Sequence, residues 1–366
     1  MSPPATRLRV ILACDYHLRY DARLAGAMSR AGADVTLLTR DHDGEFGGVP
    51  GAARSFVTEA VGPDVELLTV ASRVRSAGGW ARLPALRRRL RQSGGAVVHV
   101  QESIGNDPRL LIAAGARPGR FALTVHDPVR HPGDSDSRWT FLTNRALVKT
   151  AGLIFTHGDA LRDELIEIAH PRAPIVIVPH GIAVGASAPL PETPSILFFG
   201  RISHYKGLDI LLDAMAAIWQ AQPQARLTIA GDGEIEPHPA LADPRLTLRQ
   251  GHLPDSEVPG LIEAATVLAL PYRQASQSGV GSLAKAHARA MVVSEVGGLP
   301  ELVSDGSGLV VAPEDPGSLA EALLSVLGDG DLARRLGATG AASAARESSW
   351  DVVAERTLAA YREHLR

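Results

Sequence analysis

The chain has one cysteine, Cys14, in 366 residues, so no disulfide can close within it. No apolar run reaches the ~18 to 20 residues that a membrane-spanning helix needs. An excess of one charge is lacking too: 37 Lys and Arg stand against 40 Asp and Glu, a formal net charge of −3. That balance leaves no global field to draw the chain to nucleic acid. Three motifs are also missing. Without Gly-x-Gly-x-x-Gly or a phosphate loop ending in Gly-Lys-Ser/Thr, a nicotinamide dehydrogenase and a nucleoside triphosphatase lose their fingerprints. No Gly-x-Ser-x-Gly turn follows a strand-like run, so a Ser-His-Asp hydrolase lacks its nucleophile.

The length suits two domains rather than one core. Apolar residues at 45% and charged residues at 21% match a soluble globular chain. The start, MSPPATRLRVIL, sets arginines before a short apolar run, as a signal peptide would. That run meets Asp15 within a few residues, and a first buried strand explains it better. A cytoplasmic location follows as the expectation.

Short apolar runs at 10–13, 35–39, 65–70, 96–100, 121–125, 153–155 and 175–178 read as strands, with a helix expected over 21–31. Near-continuous apolar strands separated by helical segments indicate a parallel sheet covered on both faces. Residues 181–194 are small, proline-rich and without period, which marks a linker. Alternation then restarts, with strands at 196–199, 226–230, 246–248, 266–270 and 291–294. Helices are expected over 207–220, 256–264, 281–289, 316–327 and 350–364. The fold class is therefore α/β, two Rossmann-like domains facing a cleft, with ligands beyond the carboxyl ends of the strands.

The segment Phe199-Gly200-Arg201-Ile202-Ser203-His204-Tyr205-Lys206-Gly207 carries the best chemical signal. A strand ends, a glycine permits a tight turn, two cations follow, and a helix begins whose free N–H groups favour an anion. Arg201 can fork two hydrogen bonds onto a phosphate and Lys206 adds a point charge, a pair suited to a departing diphosphate. Two solvated loop cations would read the same way. Gly231 and Gly233 repeat the strand-to-glycine turn, as backbone for close approach or as a turn alone.

These pieces together resemble the family-4 glycosyltransferases, enzymes of the two-domain GT-B fold. The resemblance rests on FFGRISHYKGLDILLDAM (198–215), LTIAGDGE (227–234), VLALPY (267–272), IVPHGI (177–182) and VSEVGGLPELVSDGSGLVVAPEDPGSLAEAL (293–323). It implies an acceptor-side domain over 1–182, a nucleotide-sugar domain over 183–348, and a helix over 349–366 packing back on the first. It implies Arg201 and Lys206 on the donor diphosphate, and the nucleotide near Gly200, Gly231, Gly233, Glu234, His252 and Leu253. No cofactor or metal is implied; the substrates are a nucleoside diphosphate sugar and a hydroxyl-bearing acceptor, with transfer that retains anomeric configuration. The chain departs from the family where paired glutamates are expected, since Ala275 and Leu283 fall there. Gln277, Ser278, Gly279 and Val280 stand nearby, and amides and hydroxyls can still bind sugar hydroxyls. What is lost is charge-assisted bonding, roughly 1.5 to 3 kcal/mol against about 1 for neutral bonds. That loss leaves two rivals open, a non-catalytic sugar-nucleotide-binding protein and an epimerase or phosphorylase of the same fold.

In the first domain, the run 121–125 delivers His126 and Asp127 to a strand end. Histidine titrates near neutrality and can take or relay the proton of an acceptor hydroxyl, and the resemblance agrees in placing a functional histidine here. A structural histidine occupies such places as well. His131 and Asp134 follow without metal-ligand spacing. Asp15, Tyr16, His17 and Glu102 lie on the same expected rim, as acceptor contacts or ordinary caps. The basic stretch from Arg82 to Arg91 fits a surface helix whose leucines cover the sheet, or a peripheral rest on anionic lipid; no aromatic platform adjoins it for nucleic acid.

Overall fold

The computed structural model describes residues 7–14, 17–40, 46, 48–70, 77–92, 95–101, 119–126, 146–183, 188–254, 256–275 and 278–365. Contacts divide the chain into two units, Met1–Gly181 with Trp350–Arg366, and Ile182–Ser349.

The first unit is a seven-stranded parallel sheet. Its strands are β1 (Arg9–Cys14), β2 (Asp34–Arg40), β3 (Glu66–Val70), β4 (Val97–Gln101), β5 (Phe121–Thr124), β6 (Leu153–Thr156) and β7 (Ile175–Ile177), in the order β3-β2-β1-β4-β5-β6-β7. Successive residues of a strand point to opposite faces, so a strand buried on both must be apolar throughout. β1 shows this directly: Leu12 joins one core with Leu24, Met28 and Leu37, while Ile11 joins the other with Leu38, Val100 and Leu123. The last helix, Trp350–His364, packs on the helix Leu18–Arg30 and adds Val353, Leu358 and Tyr361 to the first of these cores.

The second unit is a six-stranded parallel sheet in the order β10-β9-β8-β11-β12-β13. Its strands are β8 (Ser195–Phe199), β9 (Arg226–Gly231), β10 (Leu246–Gln250), β11 (Val267–Leu270), β12 (Ala290–Ser294) and β13 (Gly308–Val311). The helix Leu208–Ala221 lays Leu211, Met215 and Ile218 on one face of the sheet and packs along the helix Pro316–Gly328. Arg289, 1% exposed, ties the domain entry down by donating to the carbonyls of Ala188 and Pro189.

Several expected boundaries move. The first helix begins at Leu18, not at residue 21, because His17 takes a left-handed conformation and its carbonyl accepts from Asp21, which turns inward and is fully buried. The helix expected over 281–289 spans Gly279–Ala286, since Ser278 caps it and Ala288 turns left-handed. Strand β13 and the helices Ala52–Val61, Asp159–Ala169 and Gly330–Ser343 add elements that the apolar pattern alone did not separate. The basic stretch lies in the helix Ala77–Gln92, where Leu83 and Leu90 are buried in the sheet-facing core and Arg89 pairs with Glu66. Among the described residues, no helix is long and apolar enough to cross a membrane.

Candidate functional site

In the second unit, Gly200 follows β8, Gly231 ends β9, and Pro271 and Tyr272 follow β11. Because β8 lies between β9 and β11, these three exits adjoin. Gly200 has φ 109° and its N–H donates to the Ala230 carbonyl at 3.0 Å. Gly231 has φ 149°, and a Cβ there would overlap the Gly200 carbonyl, so both turns demand glycine. A Cβ added to Gly200 would lie 2.9 Å from Lys206 Nζ and 3.3 Å from Val280 Cγ2. The bare glycine thus lets the Lys206 ammonium approach the backbone at the end of β8.

Lys206 is only 8% exposed. Its Nζ donates to Tyr272 Oη at 3.1 Å and lies 4.8 Å from that ring's centre. Tyr272 Oη is in turn 3.4 Å from Ser278 Oγ, which caps the helix Gly279–Ala286 by accepting from the Gly281 N–H at 3.2 Å. Among the described residues, no carboxylate pairs with Lys206. A buried cation in neutral company is costly until an anion joins it, and the adjoining helix start favours the same sign.

The loop 201–207 closes in a tight turn before its helix. The N–H groups of Lys206 and Gly207 are spent on the Ser203 and His204 carbonyls in a tight 3₁₀ turn, His204–Lys206. Asp209, in the first turn of the next helix, takes Arg273 at 2.6 Å. Arg273 thus neutralises the carboxylate in the first turn of that helix, while Lys206 reaches through Tyr272 to the cap of the Gly279–Ala286 helix. Arg273 fastens the loop, donating to the His204 carbonyl at 2.8 Å while its own N–H reaches the Tyr205 carbonyl at 2.7 Å. Its bond to Asp209 holds that carboxyl below the usual range and raises the guanidinium.

The other expected donor residues are placed less uniformly. Arg201 is exposed directly after Gly200, Gly233 has its carbonyl bonded by the Gln250 amide, and Glu234 is exposed beside it. His252 is exposed next to Gly251, whose N–H donates to the Gly231 carbonyl, whereas Leu253 packs against the core. Gly279 is exposed at the helix start. Sequence reasoning missed Tyr272, which follows β11 after Pro271 and meets Lys206 only in the folded sheet.

In the first unit, Gln101, His126 and His157 stand at the carboxyl ends of the adjacent strands β4, β5 and β6. His157 Nδ1 lies 2.9 Å from the Val178 carbonyl and its Nε2 3.0 Å from His126 Nδ1. His126 Nε2 lies 2.6 Å from Gln101 Oε1, and the Gln101 amide donates to Asp21 at 2.8 Å. His17 stacks on His126 with ring centres 4.2 Å apart, and Tyr20 meets His126, His157 and His180 edgewise or tilted. Two oxygens that only accept close this chain at either end, so its three contacts need three protons, while two neutral rings carry two. Burial first, then the His17, His157, His180 and His99 rings, hold His126 well below the ordinary histidine range and keep the third proton out. The two neutral rings thus carry one proton fewer than the three contacts would use. Both nitrogens of His126 face protein groups, a placement the sequence did not foresee, and Gln101, His157 and Asp21 were missed because three separate strands and a helix bring them together.

Burial likewise lowers His180, and it lowers His99 to about 3. The unfolded chain takes up these protons near pH 6.5 while the folded rings refuse them. Their stabilisation is therefore full above pH 6.5 and lost as pH falls, for His99 progressively toward about 3. His99 contributes a slope of about 1.4 kcal/mol per pH unit in that window. Urea midpoints should hold nearly level from pH 7.5 to about pH 6.5 and drop steadily from there to pH 5, and a profile level throughout would contradict the burial of these rings in neutral form.

Asp15, Tyr16, Glu102, Asp127, His131, Asp134 and Gln277 lie outside the described residues. Among the described residues, no group of three or more His, Cys, Asp or Glu side chains could hold a metal ion.

Comparison with known proteins fits this division. Residues 19–185 match the model of Glycosyltransferase Family 4 and residues 193–329 that of Glycosyl transferases group 1. The chain is 28% identical over 285 residues to a glycogen synthase of Mycobacterium tuberculosis, spanning 72% of this chain and 68% of that protein. It is 33% identical over 214 residues to a D-inositol 3-phosphate glycosyltransferase of Segniliparus rotundus, spanning 52% of this chain and 47% of that one. Among solved structures, Anabaena Alr3699/HepE in complex with UDP superposes with a TM-score of 0.72 at 16% identity, covering 97% of this chain and all of that one (100%). Sucrose-phosphate synthase from Thermosynechococcus elongatus gives 0.70 at 18% identity, covering 98% and 99%. With two parallel α/β units of Rossmann type and matches to both family models, the chain is a glycosyltransferase of the GT-B fold, similar to family 4 and group 1.

Proposed function

We propose that the chain transfers a hexosyl or related sugar from a nucleoside diphosphate sugar, held by the second unit, to a hydroxyl held by the first. The observation that carries this reading is the buried Lys206 ammonium, set beside bare Gly200 and the start of the Gly279–Ala286 helix without a carboxylate partner among the described residues. An anion supplies the charge that Lys206 lacks beside it, and a diphosphate leaving group gains negative charge as its bond breaks. Arg201, exposed at the same strand exit, adds a second cation that can fork onto phosphate oxygens.

The acceptor oxygen forms the new bond to the anomeric carbon, and the bond to the diphosphate breaks with its electron pair on the phosphate oxygen. The hydroxyl takes the place of Gln101 at His126 Nε2, and its proton completes the three-proton chain through His157 to the Val178 carbonyl. Attack and departure share one face of the sugar, so configuration is retained. No metal enters this scheme; the two cations and the helix start answer the diphosphate charge. Gly231, Gly233, Glu234 and His252 surround the nucleotide end.

A panel of nucleoside diphosphate sugars, scored for diphosphate release with and without an extract supplying acceptors, tests this reading. Acceptor-dependent release is expected, and Arg201→Ala should lower it roughly 100-fold, the scale of losing one donor to transition-state charge. Release that no acceptor stimulates, or that is indifferent to Arg201→Ala, would remove the assignment.

A further inference from the structure

Asp21 is a carboxylate at 0% exposure, carried inward by the first turn of the helix Leu18–Arg30. A helix start favours negative charge, which helps to keep it ionised. It receives the Gln101 amide nitrogen at 2.8 Å, and a carboxylate can only accept. The oxygen of that amide is therefore the end that meets His126 Nε2 at 2.6 Å, the shortest contact of the histidine chain. An amide oxygen has no hydrogen to give, so the His126 hydrogen belongs on Nε2. The shortfall of one proton then lies on the His157 side, between His126 Nδ1 and the Val178 carbonyl. Turned the other way, the same amide would donate to His126 Nε2. Both rings would then carry their hydrogens on Nδ1, and no contact of the chain would lack one. That orientation is closed to Gln101 because it sets the amide oxygen against the Asp21 carboxylate.

We propose that Asp21 is a positioning residue for the acceptor: it keeps the Gln101 amide oxygen on His126, so that a hydroxyl, which can donate where that oxygen cannot, is the better partner and displaces it. The inference rests on the transfer reading above and deepens it. With an acceptor hydroxyl in place, its own hydrogen serves His126 Nε2, both rings carry theirs on Nδ1, and the three contacts are filled with no charge added. Asp21 acts only through Gln101, which is 1% exposed and spans the distance between them. In Asp21→Asn the new amide can donate to the Gln101 oxygen, and Gln101 turns over. It then becomes a fitting partner for His126, and the acceptor must compete with it.

The test is imidazole nitrogen NMR of the ligand-free protein, with acceptor-dependent release measured alongside. The His126 hydrogen is expected on Nε2 in the unsubstituted protein and on Nδ1 in Asp21→Asn. The variant should bind the donor as before, yet need about fivefold more of the acceptor extract for half-maximal release, the cost of breaking one more hydrogen bond. In a Gln101→Met background, adding Asp21→Asn should change neither readout further, because the link between the two is gone. A His126 hydrogen on Nδ1 in the unsubstituted protein, a result that depends on no variant folding, would overturn the proposal. So would an unmoved hydrogen or an unaltered acceptor requirement in Asp21→Asn, or a full effect of that substitution in the Gln101→Met background. If the His126 hydrogen sits on Nε2 but no acceptor stimulates release, the transfer reading falls instead, and the acceptor role of Asp21 with it.

Discussion

Lys206→Met should make the ligand-free protein melt at a higher temperature while nearly abolishing its affinity for nucleoside diphosphates. The two effects have opposite signs because they share one cause. An ammonium that is 8% exposed, with a phenol as its hydrogen-bond partner, gives up much of its hydration on folding and regains little. Replacing a buried charge by an apolar side chain of similar length is often neutral or stabilising by about 1 to 4 kcal/mol. The bound state loses two charge-assisted hydrogen bonds, each worth roughly 1.5 to 3 kcal/mol, so affinity should fall about 100-fold or more. Differential scanning fluorimetry and titration with the preferred nucleotide read the two effects separately. A variant that melts lower and binds as well would show that Lys206 is a structural cation.

His126→Ala should separate chemistry from donor binding. The proposed donor residues belong to the second unit and His126 to the first, so nucleoside diphosphate affinity should stay within about twofold, the usual error of additivity for residues that share no partners. Turnover should fall by about 10² to 10⁴, the range for removing a positioned acid or base. His126→Gln keeps a partner for Gln101 and His157 and should preserve the fold, yet it cannot take up the third proton. It should therefore be as inactive as alanine. Full activity in His126→Gln would move the proton elsewhere.

Much of the fold was legible because strands buried on both faces are near-continuous apolar runs; β8, β11 and β12 each stand out as such runs. The helix Asp159–Ala169 and strand β13 hid because their exposed positions, Ile166 and Val310, blur the contrast between buried and solvated faces. In the proposed donor site, the order of Gly200 and Lys206 after a strand is visible in the sequence itself, strand then glycine then cation. Tyr272 was not, since its partner in the loop lies 66 residues earlier and only the strand order brings them together. The His126 chain shows the same limit more strongly. Thr124 and Phe155 pair across β5 and β6, so residues two places beyond each, His126 and His157, meet; Gln101 pairs with Thr124 from the other side. Register decides these contacts, and register is a property of the assembled sheet.

The most direct test is a crystal structure with the preferred nucleoside diphosphate bound. The diphosphate should lie within hydrogen-bonding distance of Lys206 Nζ and Ser278 Oγ, over the bare Cα of Gly200, with Tyr272 still between the two side chains. Density for the nucleotide with its phosphates anywhere else, and Lys206 still buried against Tyr272 alone, would contradict the account.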